Sequence, residues 1–398
     1  MFNKKEKLEV TSDDFNEDKY SRLRLINWWD QEKLTNALVM VVGAGAIGNE
    51  LIKNLALLGI GKIIVVDMDT IENSNLTRAV LFRKNDVGRL KAEVAAEKAE
   101  EMNPDIKAIS MVKNIIDEVG LGVFRRMQVV LGGLDNREAR LGINQSCYKV
   151  NVPWIDGAIE VLNGFARVFV PNEGACYECT MTETDWNLIN KRRSCSLLSN
   201  EEMNSGKIPT TPTSSSVIAG IQVQEMLKLL HKDRNLPNLT GKGFVFNGLT
   251  HDSFVVEYQE KKDCLSHETF DEIVEKAWTA RESKIIDVLN EIRSEIGSDT
   301  IIEFDRNIAT YAKCSCGKIK KLFVSVRKLK GQDLFCEDCK QNMAFDYIHT
   351  ISGEEDFLEM TFFEIGIPLL HIITARNSKH LKHYEFSNDL NEVFSHFE

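Results

Sequence analysis

One stretch constrains the chain most: Leu38-Val39-Met40-Val41-Val42 running into Gly43-Ala44-Gly45-Ala46-Ile47-Gly48. The apolar, β-branched run reads as a buried strand, the glycines as a tight turn, and Leu51, Ile52, Leu55 and Leu58 as one face of a helix. Residues without side chains let backbone N–H groups approach an anion, and the positive end of the new helix stabilises it. A second apolar run, Ile63-Ile64-Val65-Val66, delivers Asp67 where a ribose hydroxyl needs an acceptor. Strand, turn, helix and acid together point to a nucleotide site, and the pattern by itself suits NAD and ATP alike.

Beyond Asp67 the chain stays polar through Met68-Asp69-Thr70-Ile71-Glu72-Asn73-Ser74-Asn75-Leu76-Thr77-Arg78. Such a segment is either a solvated loop or, because it leaves a strand at the nucleotide edge, a holder of sugar, metal and phosphate. An amphipathic helix is expected over 87–102, opening with Gly88-Arg89-Leu90-Lys91. A helix dipole disfavours a cation in its first turn, so Lys91 has another reason to be there. A strand over 106–112 and a helix over 116–126 follow. Val129-Val130-Leu131-Gly132-Gly133-Leu134-Asp135 then repeats the theme of a strand that ends in a carboxylate. This alternation predicts an α/β fold, a doubly wound and mostly parallel sheet with Asp67 and Asp135 near one edge. Further on we expect a helix over 138–150 with Cys147 in its core, strands near 152–156 and 164–170, and a polar, irregular stretch over 180–216. Serines then cap an apolar helix over 217–230, and strands at 243–247 and 253–258 follow.

At 398 residues the chain has room for two domains, expected over 20–267 and 268–398 behind a flexible N-terminus at 1–19. A net charge of −11 speaks against a general nucleic-acid binder. No apolar stretch is long enough for a membrane span and the start lacks a signal-peptide core, so the expectation is a soluble, cytoplasmic protein with no membrane partner. The nine cysteines sort into Cys176-x-x-Cys179, Cys264 followed by His267, Cys314-x-Cys316, Cys336-x-x-Cys339 and the solitary Cys147 and Cys195. Close pairs without a secretion signal predict two structural Zn²⁺ sites. Residues 268–296 carry apolar side chains at helical spacing. The second cysteine set then reads as a zinc ribbon over 314–339 inside a smaller C-terminal α+β domain.

Taken in order, Gly43-Ala44-Gly45-Ala46-Ile47-Gly48, Asp67-Met68-Asp69, Ser74-Asn75-Leu76-Thr77-Arg78, Gly88-Arg89-Leu90-Lys91, Leu134-Asp135-Asn136, Cys176-Tyr177-Glu178-Cys179 and Cys195 resemble the motifs of ubiquitin-activating-type, ThiF/MoeB-like adenylating enzymes. The resemblance implies that the C-terminal carboxylate of a ubiquitin-like β-grasp protein, ending in glycine, is joined to AMP from ATP. It places Asp67 on the ribose, Asn75, Arg78 and Lys91 on the phosphates, and Asp135 on Mg²⁺. The chemistry agrees, since carboxylate attack on a phosphate brings negative charges together and requires cations. A hydride-transfer enzyme, the NAD-dependent alternative, would not need this set.

The resemblance implies four further things. Arg22, in Tyr20-Ser21-Arg22, would reach the neighbouring subunit's site in a homodimer. Cys195 would take over the acyl group as a thioester, its thiolate favoured by Lys191, Arg192 and Arg193. A sulfur-carrier adenylating enzyme without a productive thioester is the nearest alternative. Cys264 and His267 stand where relatives carry a second Cys-x-x-Cys, so the first site becomes Cys₃His, which suits tetrahedral zinc. The C-terminal domain corresponds in position to the part that recruits a conjugating enzyme.

Overall fold

The computed structural model describes residues 18–194 and 209–397. The segment expected to be flexible, 1–19, lies outside the described residues apart from Asp18 and Lys19. In chain order the first part runs α1 (Gln31–Thr35), β1 (Leu38–Val42), α2 (Ala46–Leu58), β2 (Lys62–Val66), α3 (Lys91–Met102), β3 (Lys107–Met111), α4 (Leu121–Arg125), β4 (Val129–Gly132) and α5 (Arg137–Lys149). It continues with β5 (Trp154–Glu160), β6 (Asn163–Phe169), α6 (Glu183–Ser194), α7 (Pro212–Leu230), β7 (Lys242–Asn247) and β8 (Asp252–Glu257). These strands form one eight-stranded sheet in the order β3-β2-β1-β4-β5-β6-β7-β8. Pairing is parallel from β3 to β5 and antiparallel from β5 to β8.

Both faces of the parallel half are covered, which is why its strands are apolar without alternation. Val39, Val41, Ile63 and Val65 face a core shared with α2, α3 and α7, whereas Met40, Val42, Ile64 and Val66 face a second core shared with α4 and α5. Leu51, Ile52 and Leu55 of α2 are fully buried, each worth about 1.5–3 kcal/mol relative to exposure.

The second sheet comprises β9 (Ile273–Lys276), β10 (Ile301–Lys313), β11 (Ile319–Ser325), β12 (Ala344–Ile351), β13 (Ile372–Arg376) and β14 (Leu381–Phe386), in the order β11-β10-β13-β14-β9 with β12 on β10. Helix α8 (Ile285–Ile296) packs Ile285, Val288, Leu289, Ile292 and Ile296 against Ile302, Phe304, Phe362, Tyr384 and Phe386. A short α9 (Leu390–Phe394) follows.

Five local expectations change. The helix expected over 217–230 behind capping serines begins at Pro212, because Thr211 is its N-cap and its Oγ1 accepts from Ser214 N–H, which leaves the serines inside the helix. The helix expected over 87–102 begins at Lys91. That over 116–126 shortens to α4, because Gly120 is its N-cap and presses on the Leu369 and Leu370 carbonyls. The polar stretch 180–216 contains α6, whose start is held by Thr182 and Asp185: each backbone N–H donates to the other's side-chain oxygen. Residues 268–296 are not one helix, for Ile273 and Val274 lie in β9 alongside β14.

The two sheets meet through α4 and the turn before it. Arg306 Nη1 donates to the Asp117 carbonyl (2.7 Å), Ser325 Oγ donates to the Asp117 carboxylate (2.7 Å), and Leu121 N–H donates to His371 Nδ1 (3.3 Å). Glu385 is fully buried between Arg126 (2.7 Å) and Arg125 (3.1 Å). Burial raises the Glu385 carboxyl, but the two guanidinium groups outweigh it and hold the pKa below the ordinary 4.5. The stability this contributes is full above 4.5 and is lost as pH falls through the depressed value. Glu385→Gln should lower the unfolding free energy by about 3 kcal/mol in urea titrations at neutral pH. It should also flatten the acid limb of the stability curve.

Candidate functional site

The site is built on the close approach of three glycines. Gly43 has φ +90°, and its N–H donates to the Val66 carbonyl (2.8 Å), so β1 turns directly beside β2. A Cβ on Gly48 would lie 1.8 Å from the Gly43 carbonyl oxygen, and one on Gly133 would lie 2.9 Å from the Gly48 nitrogen. Helix α2 therefore begins pressed between the ends of β1 and β4. Gly45, its N-cap, is half-exposed, and a Cβ there would meet nothing within 4 Å. The free N–H groups of the first turn thus open onto space at the positive end of a long helix, an arrangement that fits a phosphate.

Asp67 ties this turn to the polar segment that follows. Its Oδ2 accepts from Ala44 N–H (2.7 Å) and its Oδ1 from Asp69 N–H (2.8 Å). Burial raises the Asp67 carboxyl, with nearby Lys91 and the two N–H donors opposing. The reason for a lysine at the start of α3 is now visible. Lys91 Nζ sits 2.9 Å from Asp69 Oδ2, and the Lys91 N–H donates to the Asp69 carbonyl (2.9 Å). Asn75 Oδ1 accepts from Glu72 N–H (2.8 Å), and Arg78 Nη1 donates to the Ser74 carbonyl (2.9 Å), so the 73–78 turn is self-bonded. Asp135 stands exposed just past β4, and it makes no hydrogen bond or ion pair among the described residues. Asn136 accepts from Ala139 N–H (2.7 Å) and caps α5.

The glycine turn, Asp67, Asp69 and Lys91 are thus joined by direct contacts. Asn75, Arg78 and Asp135 make no side-chain bond to that chain among the described residues, and Asp135 follows shortly on the end of β4. Arg22 is exposed and has no side-chain partner among the described residues, while Trp28 and Trp29 pack on each other and on His231. Cys195 lies outside the described residues. The helix before it, α6, is fastened near Asp135 by Arg137 Nε to Asp185 (2.6 Å) and by the burial of Ile189.

Three contributors escaped the sequence reading. Asn49, fully buried, donates Nδ2 to the Ala44 carbonyl (2.7 Å) and accepts from Leu81 N–H (2.9 Å), linking the glycine turn to the segment after Arg78. Gln222 donates to the Gly132 (2.9 Å) and Ile155 (3.1 Å) carbonyls and fixes the ends of β4 and β5. Little in the sequence marks it out, because α7 also carries Gln224, Glu225 and Lys228. Asp156 is buried between Arg140 (2.8 Å) and Arg167 (2.6 Å). Burial raises the Asp156 carboxyl, yet both arginines together hold it below the ordinary value.

Both cysteine sets converge. Cys176, Cys179, Cys264 and His267 bring their ligand atoms within 4.8 Å of one another, and so do Cys314, Cys316, Cys336 and Cys339. The Sγ pairs lie at 3.7 Å for Cys176 and Cys179, 3.6 Å for Cys176 and Cys264, 3.2 Å for Cys314 and Cys339 and 3.7 Å for Cys316 and Cys336. Tetrahedral zinc–thiolate geometry requires a separation of about 3.8 Å, so both sets can hold zinc. In the first set His267 turns Nε2 toward Cys179 (3.3 Å) and Nδ1 toward Glu260 (3.5 Å), the second contact that orients a ligating imidazole. With four protein ligands each, neither leaves a position for substrate.

The Dictyostelium discoideum ubiquitin-like modifier-activating enzyme 5 is 30% identical over 256 residues, covering 60% of this chain and 65% of that protein. The catalytic subunit of the Caenorhabditis elegans NEDD8-activating enzyme E1 is 40% identical over 163 residues, covering 38% of each chain. The chain thus spans less than two thirds of the length of these relatives. Escherichia coli MccB, solved with ATP, is 26% identical with a TM-score of 0.53 over 64% of this chain and 75% of that one. The sequence model of the ThiF family matches residues 18–266, which take in the glycine turn, the polar segment and the first cysteine set, and the chain belongs to the ThiF family.

Proposed function

We propose that this chain activates a ubiquitin-like protein, joining the carboxylate of its C-terminal glycine to AMP and passing the acyl group to Cys195. The observation that carries the reading is Lys91 seated on Asp69, which is linked through Asp67 to the glycine turn: a cation held at the edge where the helix N-terminus favours phosphate. A carboxylate oxygen of the substrate forms a bond to the α-phosphorus of ATP, and the bond to the β-phosphate oxygen breaks to release pyrophosphate. Lys91, Arg78 and Asn75 offset the charge that moves onto the leaving oxygens, while Asp67 receives the ribose. Asp135 is free to take Mg²⁺, which neutralises phosphate charge when bound. In the second step the Cys195 thiolate attacks the acyl carbon and AMP departs. The attachment of α6 beside Asp135 supports this hand-over, because α6 ends at the residue before Cys195.

Pyrophosphate exchange with an added protein ending in Gly-Gly tests the first step. Lys91→Ala and Asp135→Ala should each lower it by about a hundredfold or more. Cys195→Ala should leave exchange intact and abolish a reductant-sensitive protein adduct seen by mass spectrometry. An adduct that survives either treatment removes the thioester and favours a sulfur-carrier type of enzyme. Exchange that ignores the added protein removes the whole reading.

We also propose a homodimer in which Arg22 completes the partner's phosphate site. Two features support it: Arg22 has no side-chain partner among the described residues, and an apolar groove runs between α2 and α7 along Leu57, Leu58, Val223 and Leu227. Mixing inactive Arg22→Ala and Lys91→Ala proteins should restore part of the exchange activity, and no recovery would count against exchange of arginines between subunits.

Each chain is proposed to bind two structural zinc ions. Elemental analysis should return about two per chain and about one after Cys316→Ser, with the remaining ion lost on replacing Cys264 as well. The second sheet is the region through which a conjugating enzyme would be recruited.

A further inference from the structure

Arg22 is exposed, yet the stretch that carries it is fastened to distant parts of the first sheet's helices. It leads a short 3₁₀ turn, Leu23–Leu25. Asp18 fixes that turn locally: its carboxylate accepts from Tyr20 N–H (2.9 Å) and Ser21 Oγ (3.1 Å) and from both terminal nitrogens of Arg24 (2.8 and 2.7 Å). Arg22 is left without a side-chain partner among the described residues.

Two anchors set where the stretch sits on the body. Upstream, the Tyr20 hydroxyl accepts from Asn103 Nδ2 (2.8 Å), which also donates to the Ala56 carbonyl (2.7 Å). A Cβ on Gly59, the C-cap of α2, would lie 2.2 Å from that hydroxyl oxygen, so the tyrosine rests directly on the helix end. With 13 residues at about 1.5 Å each, α2 places this anchor about 20 Å from its own glycine turn. Downstream, Trp28, Trp29 and Asp30 meet His231, the fully buried C-cap of α7. The stretch between the anchors therefore crosses from the end of α2 to the end of α7, the two helices that line the apolar groove along Leu57, Leu58, Val223 and Leu227.

His231 commits both ring nitrogens at this joint. Nδ1 lies 2.8 Å from the Leu227 carbonyl, and Nε2 lies 3.1 Å from Asp30 N–H. A carbonyl only accepts and a backbone N–H only donates, so Nδ1 carries the proton and Nε2 is bare. The two tryptophans close on the ring, with centroids at 5.3 Å and 6.0 Å. Trp29 Nε1 donates in turn to Gln31 Oε1 (3.0 Å), and Gln31 Nε2 to the Leu58 carbonyl (2.9 Å), which ties the joint back to α2. An apolar side chain of similar size at position 231 would leave Asp30 N–H without its acceptor.

We propose that His231 is a positioning residue for Arg22: it locks the stretch across the ends of α2 and α7, so that Arg22 is presented to a second copy of the chain and not to its own crevice. His231 itself touches no substrate. The assignment rests on the homodimer reading above.

Subunit mixing tests it, read by pyrophosphate exchange on the full-length protein. His231→Leu, which keeps the bulk and removes both bonds, should lower exchange about tenfold or more. His231→Gln, whose amide offers the same donor and acceptor, should keep most of the activity. Mixed with Lys91→Ala, the His231→Leu protein should gain activity above the sum of the two alone, because its intact Lys91 site then meets Arg22 of the other protein. Mixed with Arg22→Ala it should gain none. Unchanged elution volume and metal content in each variant separate lost positioning from lost folding. Recovery with Arg22→Ala, no recovery with Lys91→Ala, or a loss in the glutamine variant equal to that in the leucine one overturns the assignment and leaves the homodimer reading standing. No recovery in the control mixture of Arg22→Ala with Lys91→Ala overturns the homodimer reading, and the assignment with it.

Discussion

The first sheet, and every group at its upper edge, depends on how closely backbone can approach backbone where α2 begins. Gly48 rests against the carbonyl of Gly43, and Gly133 rests against the nitrogen of Gly48. Any side chain at these positions would push α2 outward and separate the ends of β1 and β4. With the three glycines in contact, the helix terminus, the end of β2 carrying Asp67 and the end of β4 leading to Asp135 open onto one crevice, at the point where strand order reverses.

Around that crevice, charge is placed against local preference and held by partners. Lys91 opposes the dipole of α3, and its ammonium group is retained by Asp69, whose own N–H is held by Asp67. The chain of contacts makes the turn, the acidic pair and the lysine one preorganised group, which is what the proposed adenylation needs of a phosphate site. Asn49 extends the group sideways to Leu81 and so to the turn bearing Arg78. Below the crevice, Asp156 and its two arginines occupy the interior as a compensated set, which pins β5 and β6 to α5.

Much of this was legible in the sequence because it is local. Apolar runs ending in Asp67 and Asp135, glycines at the turn and cysteines in close pairs are short-range patterns, and the structure joins the glycines to Asp67 and brings both cysteine sets together. What escaped is what depends on distant partners or on a cap hidden in polar surroundings. Thr182 and Asp185 start a helix within a stretch that reads as loop from its polarity alone. Ile273 and Val274 show helical spacing with their neighbours, but an open strand edge at β14 claims them. The pairing of Glu385 with Arg126 and of Asp117 with Arg306 spans hundreds of residues, and no periodicity announces it.

The first cysteine set has a topological consequence. It clasps Cys176 and Cys179, ahead of α6, to Cys264 and His267, beyond β8, across 88 residues. With zinc bound there, everything between, including Cys195 and the whole of α7, would be a ring closed by metal ligands rather than an open excursion of the chain. A ring this large gains its rigidity slowly with size, since the entropy removed grows only as the logarithm of its length. Its lasting effect is on continuity: with the clasp shut, a severed peptide bond anywhere in the ring leaves both new ends attached to the same body.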